Sequence, residues 1–573
     1  MEITSEIRAK KRVFLPESFR VENWEAIEPF FIELQDRVIG SVDELRQWFK
    51  DRSELEAVLS EDMGWRYIRM TCDTANKELT DRFNYFLSNI QPHIAPFSNG
   101  LNEKALNSPY LHLIKEPGYD IVIRNLEKDY KIFRENNIPL FTQIEQQAHT
   151  FGSISGAMTV EIDGRELTLQ QAGDYLQSGD RKLREDVYLK IAERKYQGHE
   201  QLDELFSNLI KLRDEVARNA DFENFRDYMF TSLGRFDYTK DECFEFHQAV
   251  SSEVVPILDE FSKERKEKLQ LPELKPWDLT INYLGAEPLK PFSTGEELLE
   301  KTIQCFHQIS PYLGACITTM KQMDHLDLES RKGKAPGGYN YPLDETGVPF
   351  IFMNATTTLR DLVTMVHEGG HALHSFVTRD LELNIFKNPP SEVAELASMS
   401  MELISMEHWE IFFPNNDDLK RAKREHLESI IQTLPWVATI DKFQHWIYEN
   451  PGHSLEERKA EWNKIFNEFT ITVTDWNGLE RFKDFLWQKQ LHLYEVPFYY
   501  IEYAIAQLGA IAVWKNYKKN REEAFNKYLA ALKLGYSKPI REVYETAGVK
   551  FNFSRPYIKE LVAFVKEELE KVS

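Results

Sequence analysis

The sequence predicts a mainly α-helical fold with a small β element, on three observations. Amphipathic patterns with helical spacing cover most of the 573 residues. Strand patterns are few and short. No period of 20–50 residues repeats, which argues against a solenoid. With 42% hydrophobic and 13% aromatic residues, the chain has ample material for a large buried core.

Helical patterns are clearest in four parts of the chain. Three charged, periodic stretches predict helices at 198–218, 240–268 and 417–432. A fourth helix is predicted near the end of the chain, where Ser554 is placed as an N-cap and Pro556 lies close to the first turn. Its apolar residues share one helical face: Ile558, Leu561, Val562, Val565 and Leu569.

Two segments carry strand patterns. The segment Thr159–Leu169 alternates in polarity around Asp163-Gly164, which predicts a hairpin with a tight turn. The second segment, Val348–Asn354, is an apolar run that follows a glycine-containing loop. Both are short, so the β content is expected to be small.

The division of the chain into domains has only weak signals. No linker rich in proline, glycine and serine separates the chain. We place the boundary after the predicted hairpin, within the charged stretch 179–199. This gives an N-terminal helical domain at 1–190 and a larger helical domain, carrying the catalytic motif described below, at 191–573.

Composition disfavours several classes of partner. The net charge is −23 and there is no sustained Lys/Arg block, so nucleic acids and anionic membranes are poor partners. No uncharged apolar run approaches the roughly 18 residues of a membrane span, and the N-terminus lacks a secretory signal pattern. The four cysteines form no short-spaced framework, so we expect a cytoplasmic protein. The sequence does not indicate an oligomeric state.

One segment, His367-Glu368-Gly369-Gly370-His371, has the HExxH pattern within apolar helical spacing. Residues four apart share a helix face, so His367 and His371 can both bind one metal ion, with Glu368 directed towards water on that metal. Zinc lowers the pKa of such a water to near 7, and the carboxylate takes its proton and later passes it to the leaving amine. The two glycines would let another segment or a substrate approach, or satisfy a packing constraint.

A catalytic zinc site needs a third protein ligand. His374 lies on the same face, but ligands at i, i+4 and i+7 spread over about 10 Å, so we expect it to pack in the core or to support a ligand instead. The helix predicted from Pro390 carries Glu395 and Glu402 on an otherwise apolar face, where unpaired carboxylates are costly. We interpret Glu395 as the ligand and Glu402 as the partner of a ligating histidine; spacing alone also allows the reverse.

The segments HEGGHALHSF and PSEVAELASMSMEL together resemble the thimet-oligopeptidase family of zinc metallopeptidases, closest to its bacterial oligoendopeptidase F and Pz-peptidase branch. The resemblance is strong over 330–515 and thinner on either side. It implies a two-lobed helical metallopeptidase with a deep central channel that admits short peptides. It also implies one zinc ion per chain, held by two histidines and a glutamate that match His367, His371 and Glu395.

The resemblance extends to the segment LHLYEVPFYYIEYA. In the family, a histidine and one or more tyrosines from this region bind substrate and stabilise the oxyanion, a role that fixed donors can fill in a dry site. It implies catalytic roles for His492, Tyr500 and Tyr503, with Tyr499 as an alternate substrate-binding residue. A proline interrupts the segment, so the choice of tyrosine stays open, and packing in the core is the alternative for each ring.

The loop KGKAPGGYNY, leading into PFIFMN, also resembles the family, in which a glycine-containing loop and an edge strand flank the cleft. It implies substrate binding at Gly338 and Tyr339. An exposed strand edge can pair with an extended peptide. A plain turn before a strand is the alternative.

The combined expectation is a zinc-dependent endopeptidase that hydrolyses internal bonds of short oligopeptides with a metal-activated water. One alternative is an exopeptidase on the same scaffold, such as a dipeptidyl carboxypeptidase, which needs a cationic group for the substrate's C-terminal carboxylate. Another is a non-catalytic peptide-binding protein whose zinc is closed by four protein ligands. The ligand types would also suit cobalt or manganese.

Overall fold

Helices make up most of the computed structural model, which describes residues 11–281, 283 and 287–572. Helices α1–α6 span Trp24–Asp36, Val42–Cys72, Lys77–Asn89, Gln91–Leu106, Tyr119–Ile132 and Ile138–Gly156. Helices α7–α14 span Leu169–Asp174, Arg181–Gln197, His199–Asn219, Phe225–Ser232, Lys240–Ala249, Val255–Lys268, Gly295–Ile309 and Pro311–Gln322. Helices α15–α25 span Leu359–Thr378, Asn384–Lys387, Ser391–Ser405, Asn416–Glu449, Leu455–Phe469, Glu480–Lys483, Leu491–Glu495, Ile501–Lys519, Arg521–Lys533, Ile540–Thr546 and Arg555–Lys571. Short 3₁₀ turns lie at Leu111–Leu113, Glu135–Asn137, Tyr175–Gln177, Pro276–Asp278, Met406–Ile411 and Leu486–Lys489.

The helix that carries HExxH, α15, begins at a reciprocal cap. Thr358 Oγ1 accepts a hydrogen bond from the Asp361 N–H, and the Asp361 carboxylate accepts one from the Thr358 N–H. These two bonds satisfy backbone donors that a helix start leaves without partners. The cap therefore fixes the position along the chain at which the helix starts, and with it the face on which His367 lies.

Three of the four predicted helices are confirmed. The stretch 198–218 forms α9, and 417–432 forms the first half of the long helix α18. The C-terminal helix is α25, and all five of its predicted core residues are buried. Ser554 precedes this helix as predicted, but its side chain makes no capping hydrogen bond.

The stretch 240–268, predicted as a single helix, consists of α11 and α12 joined by a π-helical turn at Val250–Val254. One residue, Val255, separates this turn from Pro256. Because proline lacks the N–H needed for an i to i−4 hydrogen bond, the regular α-helical hydrogen-bond pattern is interrupted at this position. A wider turn accommodates the missing bond without ending the helical path.

The predicted hairpin is confirmed as an antiparallel pair, β1 (Thr159–Ile162) and β2 (Arg165–Thr168). Its turn residues Asp163 and Gly164 have φ values of +50° and +73°. Positive φ at both positions is the requirement of the tightest hairpin turns, which Asp-Gly meets with little strain.

The second sheet contains β3 (Leu326–Glu329), β4 (Tyr339–Tyr341) and β5 (Phe350–Ala355), in the order β3–β5–β4. β3 runs parallel and β4 antiparallel to β5. The apolar run is therefore the central strand, β5. All of its residues except Asn354 are buried, which explains why it is apolar without alternation. The edge strand beside the glycine-containing loop is β4, not the apolar strand β5.

Apolar packing forms two large cores. The smaller joins α1–α5 with Leu383 and Phe386 around α16, and its last residue before α6 is Leu126. The larger takes in α6 from Leu140 onward and most later helices.

The predicted class, mainly helical with a small sheet, is confirmed; the boundary at residue 190 stays a prediction. Within the described residues, no helix is long and apolar enough to cross a membrane.

Helix α15 packs against α17 so closely that only glycine fits at the contact. A Cβ atom on Gly370 would lie 2.6 Å from Ser398 Cα and 2.8 Å from the Ala397 carbonyl oxygen. On another side of α15, a Cβ on Gly369 would lie 2.6 Å from the Phe306 ring of α13. The two glycines therefore admit two neighbouring helices, which explains their presence inside a helix.

Gly370→Ala is expected to destabilise the fold, although alanine is the better helix former. The added methyl group meets backbone atoms of α17, and such overpacking costs about 1–3 kcal/mol of unfolding free energy. Denaturant unfolding measures the change. Gly152→Ala in α6 is the control, because its Cβ would have no atom within 4 Å and should stabilise by up to ~1 kcal/mol. Equal effects at the two positions would contradict this explanation.

Candidate metal centre and active site

Side chains from two helices converge at one point on the structure. His367 and His371 come from α15 and Glu395 from α17. Glu395 Oε2 lies 3.3 Å from His367 Nε2 and 3.8 Å from His371 Nε2. One candidate ligand atom from each residue lies within 4.8 Å of the others. The two histidine side chains are 19% and 20% exposed, so the cluster is reachable from solvent.

A second layer of hydrogen bonds orients this cluster. Glu402 Oε1 accepts a 2.6 Å hydrogen bond from His367 Nδ1, and its other oxygen lies 3.5 Å from His426 Nε2. Because Nδ1 carries a proton, the His367 Nε2 lone pair can face a metal. Ser398 Oγ donates to Glu395 Oε2 at 3.0 Å. Spacing alone allowed either glutamate to be the ligand. This geometry fits Glu395 as the ligand and Glu402 as the partner that orients His367.

Burial and the two carboxylates set the charges of the cluster. Burial lowers the pKa of His367, but its hydrogen bonds with Glu395 and Glu402 outweigh this and hold the pKa well above its usual value. Burial raises the pKa of Glu395, but the hydrogen bond with His367 and the charge of His371 bring it down to about 2. Burial lowers the pKa of His371 to about 4. Two imidazoles and an ionised carboxylate are a donor set that fits zinc, and a cation would neutralise the buried negative charge.

Glu368 lies beside the cluster and is buried. Burial raises its pKa to about 7, although the charge of His367 lowers it. A carboxyl group with this pKa can both take up and release a proton near neutral pH. Its backbone carbonyl accepts a 3.2 Å hydrogen bond from Asn340 Nδ2 of β4, a contact that the sequence did not reveal. His374 is buried further along α15, outside the cluster as predicted.

The tyrosines lie around His492 of α21. The centroids of the Tyr499, Tyr500 and Tyr503 rings lie 6.1, 4.7 and 5.9 Å from that of its imidazole. Burial raises the pKa of Tyr499 to about 12 and that of Tyr503 further, and the Glu395 charge adds to both increases. Both hydroxyls are therefore close enough to Glu395 for its charge to affect them, and Tyr499 stays a candidate beside Tyr500 and Tyr503.

A chain of hydrogen bonds fixes the tautomer of His492. The Trp436 indole N–H, which can only donate, donates to Gln490 Oε1 at 2.8 Å. The Gln490 amide nitrogen therefore faces His492 Nδ1, 2.7 Å away, and donates to it. Burial lowers the pKa of His492 to about 4, so its ring is neutral and carries its proton on Nε2. Sequence patterns missed Trp436 because it lies in α18, far from this segment. They also missed Gln490, which is two residues before His492 but belongs to no motif.

The predicted substrate residues Gly338 and Tyr339 lie at the edge strand. A Cβ on Gly338 would lie 3.4 Å from the Phe352 carbonyl oxygen, a tight approach of the loop to β5. The Tyr339 hydroxyl bonds to Thr71 Oγ1 at 2.6 Å, and its ring stacks on Phe352 at 4.8 Å. The side chain of Tyr339 thus joins the sheet to α2. Substrate binding at Gly338 and Tyr339 stays a prediction.

Known proteins share this fold and these sequence features. A sequence profile of Peptidase family M3 matches residues 175–563, and one of the Peptidase M3 N-terminal domain matches 14–133. The chain is 25% identical to an oligoendopeptidase F homolog of Borreliella burgdorferi, over 78% of this chain and 74% of that protein. It is 24% identical to one from Lactococcus lactis, over 71% and 67%. The solved structure of Pz peptidase A with an inhibitor superposes with a TM-score of 0.89 and 26% identity, covering 97% of this chain and 99% of that one.

Gln490→Glu is expected to reverse the His492 tautomer. A carboxylate in place of the amide accepts a hydrogen bond, so the imidazole proton should move from Nε2 to Nδ1 or the ring should gain a second proton. Nitrogen-15 chemical shifts of histidine-labelled protein report the position of the proton. The exposed His112 is the internal control and should not change. A proton found on Nδ1 in the unmodified protein would contradict the hydrogen-bond chain described above.

Proposed function

The chain belongs to Peptidase family M3 and is a metallopeptidase, and from this premise we propose that it is a zinc-dependent endopeptidase that cleaves short oligopeptides. The observation that carries the proposal is the convergence of His367, His371 and Glu395 beside the buried Glu368. The names of its relatives, oligoendopeptidases F, support action on internal bonds of oligopeptides.

His367, His371 and Glu395 would hold one zinc ion per chain. When bound, zinc supplies a Lewis acid for the peptide carbonyl and lowers the pKa of the water that attacks it. Glu395 balances part of the metal charge, while Ser398 and Glu402 hold the ligands in place. The donor atoms in this cluster come from three side chains, so a coordination position is left for water or substrate.

Glu368 is proposed as the group that moves the proton. As a carboxylate it takes a proton from the attacking water, and as an acid it gives that proton to the leaving amine. Its pKa of about 7, raised by burial, suits both steps. Because Glu368 follows His367 directly on α15, the base and the metal ligands are positioned by the same helix.

His492 is proposed to bind the peptide carbonyl oxygen as negative charge develops there. Its Nε2–H is a donor fixed by Gln490. The hydroxyl of Tyr503, with Tyr500 or Tyr499, would add a second donor, and each such donor contributes several kcal/mol in a dry site. The high pKa values of these buried phenols keep them protonated and able to donate.

The substrate is proposed to lie along β4 in an extended conformation. An edge strand offers main-chain groups to a peptide without strict side-chain preference, and Gly338 allows close approach. The central channel implied by the family would restrict substrates to short peptides.

We further propose a cytoplasmic location, because all four cysteines are free thiols. The charge of −23 disfavours nucleic acids and anionic membranes as partners.

Glu368→Gln is expected to lower peptide cleavage by at least about 100-fold while zinc stays bound, because the amide cannot accept the proton. The substrate is a peptide of about ten residues, acetylated and amidated, and mass spectrometry identifies the fragments. Glu103→Gln, an exposed change on α4, is the control and should cleave normally.

Internal fragments from the capped peptide would establish endopeptidase action. Cleavage of the uncapped peptide alone would instead indicate an exopeptidase. If neither peptide is cut, the metal serves structure or binding and the proposed function is wrong. A Glu368→Gln enzyme within tenfold of the unmodified one would remove Glu368 from its role.

Glu402→Ala is expected to weaken zinc binding about 10–100-fold, because His367 loses the partner that orients its ring. Titration against a competing chelator measures the affinity. Ser400→Ala, a buried change on the same helix at a hydroxyl without a hydrogen-bond partner, is the matched control and should leave affinity unchanged. Equal losses in both variants would show that any disturbance of α17 weakens the site.

A further inference from the structure

A second cluster of metal-binding side chains is buried where α11 meets α18. Cys243 and His247 lie four residues apart on α11, and Asp441 and His445 lie four residues apart on α18. Residues at this spacing share a helix face, so each helix presents a pair of ligand-type side chains to the other. All four are at most 1% exposed.

The atoms of this cluster are close enough for a single ion. One ligand atom each from Cys243, Asp441 and His445 lies within 4.8 Å of the other two. Asp441 Oδ2 lies 2.9 Å from His247 Nε2 and 3.4 Å from His445 Nε2. Gln444 Nε2 donates to the other oxygen, Asp441 Oδ1, at 3.0 Å. The carboxylate is thus held from both sides between the imidazoles.

The cluster as it stands leaves buried polar atoms without partners. Neither ring nitrogen of His445 makes a hydrogen bond of acceptable geometry, and the same holds for His247 Nδ1. Buried polar atoms in this condition cost free energy comparable to a lost hydrogen bond. A bound cation would satisfy the ring nitrogen and the carboxylate together.

We propose that Cys243, Asp441 and His445 form a second, buried site for a zinc-type divalent cation, with His247 positioning Asp441. Thiolate, imidazole and carboxylate are all zinc ligands, and the thiol would lose its proton on binding. Because these side chains are buried, no path for a peptide leads to them and the site serves stability. The inference goes beyond the proposed function, which requires only the cluster at His367.

This second site would support the segment that carries the tyrosines. Gln444, which holds Asp441, also accepts a 2.7 Å hydrogen bond from the Phe498 N–H. The Phe498 ring contacts His445 with centroids 5.3 Å apart. Phe498 has φ = +68°, a left-handed conformation that is costly for a non-glycine residue. A metal between α11 and α18 would therefore stabilise the strained residue that directly precedes Tyr499.

The test counts metal in the full-length protein, expressed with added zinc and dialysed against metal-free buffer. Elemental analysis is expected to find about two zinc ions per chain in the unmodified protein, about one in His371→Ala or Cys243→Ala, and none in the double variant. Cys316→Ala, at a buried thiol outside both clusters, is the matched control and should keep both ions.

A spectroscopic measurement avoids dependence on the folding of a variant. Unmodified protein loaded with cobalt should show a thiolate-to-metal charge-transfer band in the near ultraviolet. Of the two clusters, the one with Cys243 contains a sulfur ligand and the one with His367 does not. A single zinc in the unmodified protein, none in His371→Ala and no cobalt–thiolate band would overturn the second site and leave the proposed function intact. Zinc lost in Cys243→Ala but retained in His371→Ala would support the second site and instead contradict zinc binding at His371.

Discussion

The contact between α15 and α17 at Gly370 is the constraint on which the candidate active site depends. Glu395 reaches both histidines of α15 only because a glycine lets the backbone of α17 approach to within van der Waals contact. The same approach brings Glu402 to the far side of His367. One missing side chain therefore sets the positions of Glu395 and Glu402 relative to the two histidines.

Two hydrogen-bond chains fix two histidines in opposite tautomers. Glu402 keeps a proton on Nδ1 of His367, so Nε2 is the nitrogen on which a cation would replace the other proton. The Trp436–Gln490 pair keeps the proton of His492 on Nε2, which makes that nitrogen a donor for an anion. Histidine would thus serve two opposite electrostatic roles in one site, and the residues that bond to each ring would decide which.

The sequence predicted what depends on local spacing. HExxH on one helix, Glu395 and Glu402 on the face of another, and the Asp-Gly hairpin each follow from periods of a few residues. It missed what depends on packing between distant segments: the Trp436–Gln490 chain, the central place of β5, and the use of the Tyr339 side chain to join α2. The π turn before Pro256 was missed because periodicity alone does not register a lost hydrogen bond.

Two adjacent residues of β4 face opposite parts of the molecule. Tyr339 is bonded to Thr71 in the N-terminal helices, while Asn340 is bonded to the backbone of Glu368. The strand therefore connects the N-terminal helices to the turn of α15 that contains Glu368, so that a displacement of those helices would be transmitted to this turn. The placement of the N-terminal helices and the position of Glu368 beside the candidate metal cluster would then be coupled through two hydrogen bonds on neighbouring residues.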